Sequence, residues 1–106
     1  KKQVSFLSTI KKMGKKNKNY LSFPNKGYTI TFDIKVNKNL NLFYEELEKI
    51  LLSMNATIYL TKDSLMTKKF FLKSSKNLVE FINVKKKYDP NFLLSSFQSK
   101  RIGLDK

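Results

Sequence analysis

Lys62 and Asp63 set a cation and an anion side by side, directly after the short apolar run Ile58-Tyr59-Leu60 in the stretch TIYLTKDSLM. A lysine at a strand end can stabilise negative charge that develops on a bound group, and such fixed charge is often the largest catalytic contribution. Tyr59, three residues earlier, offers a flat ring and a hydroxyl to a ring-shaped ligand. The structural alternative is that Asp63 or Ser64 caps a following helix while Lys62 points into solvent. A second group lies in YTITFDIKV, where Thr29, Thr31 and Asp33 alternate with Tyr28, Ile30, Phe32, Ile34 and Val36. Alternate residues of a strand share a face, so the three polar side chains stand together. They line a pocket if another surface adjoins them, and form a solvated sheet face if none does.

Other chemistry is excluded by residue type. The chain has neither Cys nor His, which removes a disulfide framework, a thiol nucleophile, a Cys/His zinc site and a histidine base. No metal site, phosphate loop or paired-carboxylate arrangement is visible. Reactive groups must come from Lys, Tyr, Asp, Glu, Ser or Thr, or from a cofactor.

These groups need a folded frame, and the composition supplies one. Of 106 residues 41% are apolar, and Phe and Tyr contribute 9 and 5 of them, enough for one small core. The net charge of +14 invites a nucleic-acid reading. Against it, 22 cations include one arginine, Arg101, whereas bidentate recognition of bases and phosphates favours arginine. The clusters Lys11-Lys12, Lys15-Lys16 and Lys85-Lys86-Lys87 read as solvated loop or helix end. No apolar run reaches the roughly 18 residues of a membrane span. The opening Lys1-Lys2-Gln3 has no initiator Met and leads straight into a strand-like pattern, as in a fragment beginning mid-domain.

The fold class expected is α+β, with a small, mostly antiparallel sheet packed by helices. Residues 4–13 read as a strand with imperfect alternation, ended by Gly14. Residues 28–36 read as the clearest strand, one face on a core and the other toward water or a ligand. The period then changes, and Leu40, Phe43, Tyr44, Leu47, Ile50, Leu51 and Met54 mark an amphipathic helix that Asn39 or Asn41 can cap and Asn55 can stop. A strand over 57–61 follows, then a short helix over 65–73. A longer helix starts near Ser75 or Asn77, buries Leu78, Phe81 and Ile82, with Val84 a further candidate, and ends before Asp89-Pro90. The tail NFLLSSFQSKRIGL is too apolar for a free linker and must dock.

The strings LSFPNKGYTITFDIKV, TIYLTKDS, YDP and SSFQSKRIGL, in that order and spacing and preceded by SFLSTIKKMG, resemble the C-terminal quarter of the FAD-linked oxidases with a split flavin domain. The resemblance runs over essentially the whole chain. It implies FAD as cofactor, with Tyr59 at the family's FAD-contacting tyrosine and Lys62 where flavin and substrate meet. It implies substrate contacts from Lys11, Met13, Thr29, Thr31 and Asp33. Thr29 stands where one relative has asparagine, and Asn55-Ala56 where relatives often have Gly-Gly. Such an enzyme oxidises a sugar hydroxyl to a ketone; a polyprenylphosphoryl pentose, a soluble sugar and an alditol would all use similar residues. Residues 1–56 would then end the substrate domain, and 57–106 would complete the flavin domain.

The partners this implies are an N-terminal FAD-binding part of the same protein, a sugar or lipid-linked sugar, and a reductase. The location implied is cytoplasmic or peripheral at the inner membrane. The alternative reading is a stand-alone basic module for nucleic acid or anionic membrane, whose affinity would fall steeply with salt.

Overall fold

Threonine, tyrosine, isoleucine and phenylalanine in alternation favour a pleated strand, and this run pairs with the chain's opening stretch. In the computed structural model, which describes residues 3–105, strand β1 (Ser5–Met13) and strand β2 (Gly27–Ile34) form an antiparallel ribbon. Lys11 and Lys12 therefore lie in a strand and not in a loop. Met13 stands opposite Gly27, Lys11 opposite Thr29, Thr9 opposite Thr31 and Leu7 opposite Asp33. The alternating pairs are Lys12 with Tyr28, Ile10 with Ile30 and Ser8 with Phe32. A bulge between Ser5 and Leu7 leaves Phe6 as the extra residue, which accounts for the broken alternation there. At the far end the side-chain amides of Gln3 and Asn37 donate to each other, at 2.9 and 3.0 Å.

The apolar face of β2 does not pack on the core. Tyr28, Ile30 and Phe32 are 73%, 52% and 51% exposed. The reason lies in how the core is composed. Met66, Phe70, Phe71, Leu78 and Ile102 form its centre, with Leu21, Tyr44, Leu51, Leu52, Ile58, Leu60, Ile82 and Leu104 around them. Among the described residues neither strand contributes to it, and a ribbon of two strands has no third element to cover it.

Helix α1 (Leu40–Ser53) follows the three- and four-residue apolar spacing. Asn39 occupies the N-cap without a side-chain bond; the carboxamide of Asn37 accepts from the Asn39 N–H instead, at 2.9 Å. Asn55 adopts the expected left-handed conformation after the helix, φ 52°. Residues 57–61 do not form a strand. The chain is extended at Tyr59 and then closes a 3₁₀ turn, Leu60–Lys62. A strand needs a neighbouring ladder, and here the Leu60 carbonyl accepts from the Gln98 side chain at 2.5 Å.

Helix α2 (Lys68–Ser74) is capped by Thr67, whose Oγ1 accepts from the Phe70 N–H at 3.1 Å. Asp63 and Ser64 are therefore not the cap. Glu48 of α1, although charged, is buried because its carboxylate accepts from both the N–H and the hydroxyl of Thr67, each at 2.7 Å. Helix α3 (Leu78–Tyr88) turns Leu78 into the core. The tail docks as helix α4 (Phe97–Ile102), opened by a reciprocal Ser96/Ser99 capping box and closed by Gly103 at φ 79°. The two buried phenylalanines of α2 each contribute about 1.5–3 kcal/mol of hydrophobic stabilisation, which explains why this short helix is the centre of the packing.

Candidate functional site

Two groups of candidate residues emerge, on different parts of the fold. The first is the polar face of the ribbon. Directly opposed residues of an antiparallel pair project from the same face, so the register gathers Lys11, Met13, Thr29, Thr31 and Asp33 on one face. Lys11 lies across from Thr29, the position that differs from one relative. Two-residue steps of about 6.7 Å spread the group from Thr29 to Asp33 over roughly 13 Å. A cation at one end, a carboxylate at the other and hydroxyls between them form a strip suited to a polyhydroxylated ligand, both donating and accepting.

The second group is the turn at Tyr59–Lys62. The Lys62 N–H donates to the Tyr59 carbonyl at 3.0 Å. Residues three apart eclipse in 3₁₀ geometry, so this bond brings Tyr59 and Lys62 to one side of the turn. The Tyr59 ring stacks on Phe23, with centroids 4.7 Å apart and planes at 29°. Phe23 precedes Pro24, which holds its backbone extended, and the stack ties the connection between the strands to this turn. Lys62 is exposed.

What positions the turn is the next residue. The Asp63 side chain is shielded from solvent while Lys62 is exposed. Asp63 accepts from the Leu65 and Met66 N–H groups, at 3.0 and 2.7 Å, and from the Tyr44 hydroxyl at 3.4 Å. The Arg101 guanidinium donates to its other oxygen at 2.6 Å and to the Met66 carbonyl at 2.6 Å. Burial, then the charges of Asp63 and Glu48, push the Tyr44 phenol far above its ordinary value, so Tyr44 remains a neutral donor. Helix α4 thus grips the turn twice, through Gln98 to Leu60 and Arg101 to Asp63.

A third cluster carries structure and no visible ligand chemistry. Lys85, in the basic run expected to be solvated, is turned inward. Its Nζ lies 2.9 Å from Asp89 Oδ2 and 3.0 Å from Asp105 Oδ1, and donates to the Leu94 carbonyl at 2.8 Å. Asp89 also accepts from the Leu93 and Leu94 N–H groups, at 2.7 and 3.2 Å. Its bond from Lys85 holds its carboxyl below the ordinary value against the effect of burial. The Ser99 hydroxyl, which donates to Asp105, does the same there, helped by Lys85. The bonds to Asp89 and Asp105 raise Lys85.

Reading the residue string alone missed Arg101, Gln98, Lys85, Asp89 and Asp105 as partners. The available signal was scarcity. In a chain with 8 acidic residues against 22 basic ones and a single arginine, each acid and that arginine are candidates for a specific tie.

No family model matches the chain. It is similar to decaprenylphosphoryl-beta-D-ribose oxidase of Mycolicibacterium smegmatis, with 30% identity over 100 residues, 94% of this chain and 22% of that protein. The chain spans about a fifth of the length of this curated relative.

Proposed function

We propose that the chain is the C-terminal part of an FAD-dependent oxidoreductase that converts a sugar hydroxyl to a ketone. The observation that carries this reading is the similarity to an oxidase over 94% of the chain, which includes two separately positioned groups with suitable chemistry. In this reading residues 1–56 end the substrate domain and residues 57–106 complete the flavin domain.

The residues at Tyr59–Lys62 fit a flavin. An exposed lysine and a stacked tyrosine stand on one side of a turn that is braced from behind. Tyr59 and Lys62 would hold FAD, which would supply the two-electron oxidant for the sugar hydroxyl. Tyr59 would hold the ring system by contact with its own ring. Lys62 would place a positive charge beside the cofactor and substrate, on a turn whose backbone is braced by Asp63 and α4. The ribbon strip would hold the sugar, with Lys11, Thr29, Thr31 and Asp33 exchanging hydrogen bonds with its hydroxyls and Met13 offering an apolar contact.

The bare ribbon also fits this reading. Its uncovered apolar face and two free edges are what a strand pair shows when the rest of its sheet is supplied from elsewhere; the N-terminal part of the same protein is the partner proposed. A polyprenylphosphoryl pentose is the substrate that the relative's name favours, in a cell-wall pathway, with a reductase completing turnover.

The test is the visible spectrum of the intact protein that includes this chain, purified without added cofactor. Flavin bands bleached by a lipid-linked or soluble sugar, and a bleaching rate lowered at least about tenfold by Lys62→Ala through loss of fixed charge, are expected. A colourless protein that FAD does not reconstitute overturns the proposal.

A further inference from the structure

Between Tyr88 and Phe97 the chain turns its charges inward and its apolar side chains outward. Asp89 and Lys85 hold the loop from within, through the Leu93 and Leu94 N–H groups and the Leu94 carbonyl. Phe92 takes a left-handed conformation, φ 54°, to make the bend. Outside, Leu93, Leu94 and Phe97 are 81%, 76% and 96% exposed, and Tyr88 beside them is also exposed. Ile102, five residues on and on the opposite side of α4, is committed to the core, so Phe97 faces outward. Exposed Lys86 and Lys87 end α3 next to this corner, with Lys87 Nζ 5.3 Å from the Tyr88 ring centroid. Exposed Lys100 lies one turn on from Phe97.

We propose that this corner docks on an anionic lipid surface, with Leu93, Leu94 and Phe97 entering the interface and Lys86, Lys87 and Lys100 meeting the head groups. Two features favour lipid over a protein partner. The Leu93 and Leu94 N–H groups and the Leu94 carbonyl already have partners inside the loop, so entry into an apolar layer leaves them bonded. The flanking cations are lysines with long apolar stems, which reach from an interface to its charged surface, on a chain of net charge +14. No helix among the described residues is long and apolar enough to cross a membrane; the contact is peripheral. It depends on none of the flavin chemistry.

The experiment is co-sedimentation of the intact protein with vesicles of phosphatidylcholine alone and of equal parts phosphatidylcholine and phosphatidylglycerol. The expected result is binding to the anionic vesicles that weakens in about 0.5 M salt, where screening is strong. Replacing Leu93, Leu94 and Phe97 together by Ser should weaken it at least about tenfold through lost apolar burial, and Lys86, Lys87 and Lys100 by Ala by about tenfold or more. All six side chains are exposed, so Tm should not change. Absence of vesicle binding overturns the proposal. So does undiminished binding by the Ser variant, and a lowered Tm in that variant with vesicle binding intact would place the corner against another part of the protein. The flavin spectrum, read on the same samples, separates failure of this inference from failure of the oxidase reading.

Discussion

Arg101 and Asp63 meet at 2.6 Å across 38 residues of chain, and their ion pair fixes the turn that presents Tyr59 and Lys62. The Asp63 side chain is fully shielded and that of Arg101 is 30% exposed. Removing the arginine therefore strands a buried carboxylate with only neutral donors. Arg101→Ala should destabilise the chain by about 2–3 kcal/mol, below the 3–5 typical of fully buried pairs because Arg101 is partly solvated. Denaturant unfolding measures this directly. Arg101→Lys should recover less than half of the loss, since one ammonium cannot span Asp63 and the Met66 carbonyl in a forked geometry. Equal stability of all three forms would show that the pair positions nothing.

The Lys85 cluster predicts a pH profile. Asp89 and Asp105 titrate below their ordinary 3.8, so their stabilisation is present above that value and is lost as pH falls through their lower folded values. Lys85 titrates above its ordinary 10.5; its stabilisation is present below 10.5 and is lost as pH rises through the folded value. Tyr44, also raised, adds to the alkaline limb. Thermal midpoints should be level between about pH 5 and 9 and fall on both sides. Asp89→Asn should flatten the acid limb.

Gly103 ends α4 in the left-handed region at φ 79°, and an added Cβ would lie 2.5 Å from the Lys68 side chain. That side chain is flexible and can move aside, so the backbone dominates. Gly103→Ala should cost about 1–2 kcal/mol, read from the unfolding midpoint. Gly14→Ala, where a Cβ meets nothing within 4 Å, serves as the comparison and should lie within about 0.5 kcal/mol of wild type.

Stability should be unevenly spread. Ile102 is buried among the α2 phenylalanines, and Ile102→Ala should cost about 2–5 kcal/mol, whereas the exposed Ile30→Ser should cost about 0.5 kcal/mol or less. In the 106-residue chain the amides of β1 and β2 should exchange far faster than those of Phe70 and Phe71, because a lone two-stranded ribbon is marginal in water. Adding the N-terminal part proposed above should protect the ribbon and change α2 little. Equal protection of ribbon and core in the isolated chain would contradict this picture.

Local chemistry was legible in the residue string. Alternation marked β2 and put Thr29, Thr31 and Asp33 on one face; three- and four-residue spacing marked α1; Asn55 stopped it, and Pro90 bounded α3. Each rests on interactions within a few residues, which a string displays. What only the tertiary structure decided depends on groups far apart along the chain. The register of β1 against β2 brought Lys11 and Met13 to the face of Thr29. Gln98 and Arg101 turned an apolar run that reads as a strand into a 3₁₀ turn, and Asp105 helped draw Lys85 out of a basic cluster. No propensity encodes a partner 20 or 38 residues away, so burial of a charge and the absence of a cover over Ile30 and Phe32 become visible only when the chain is folded.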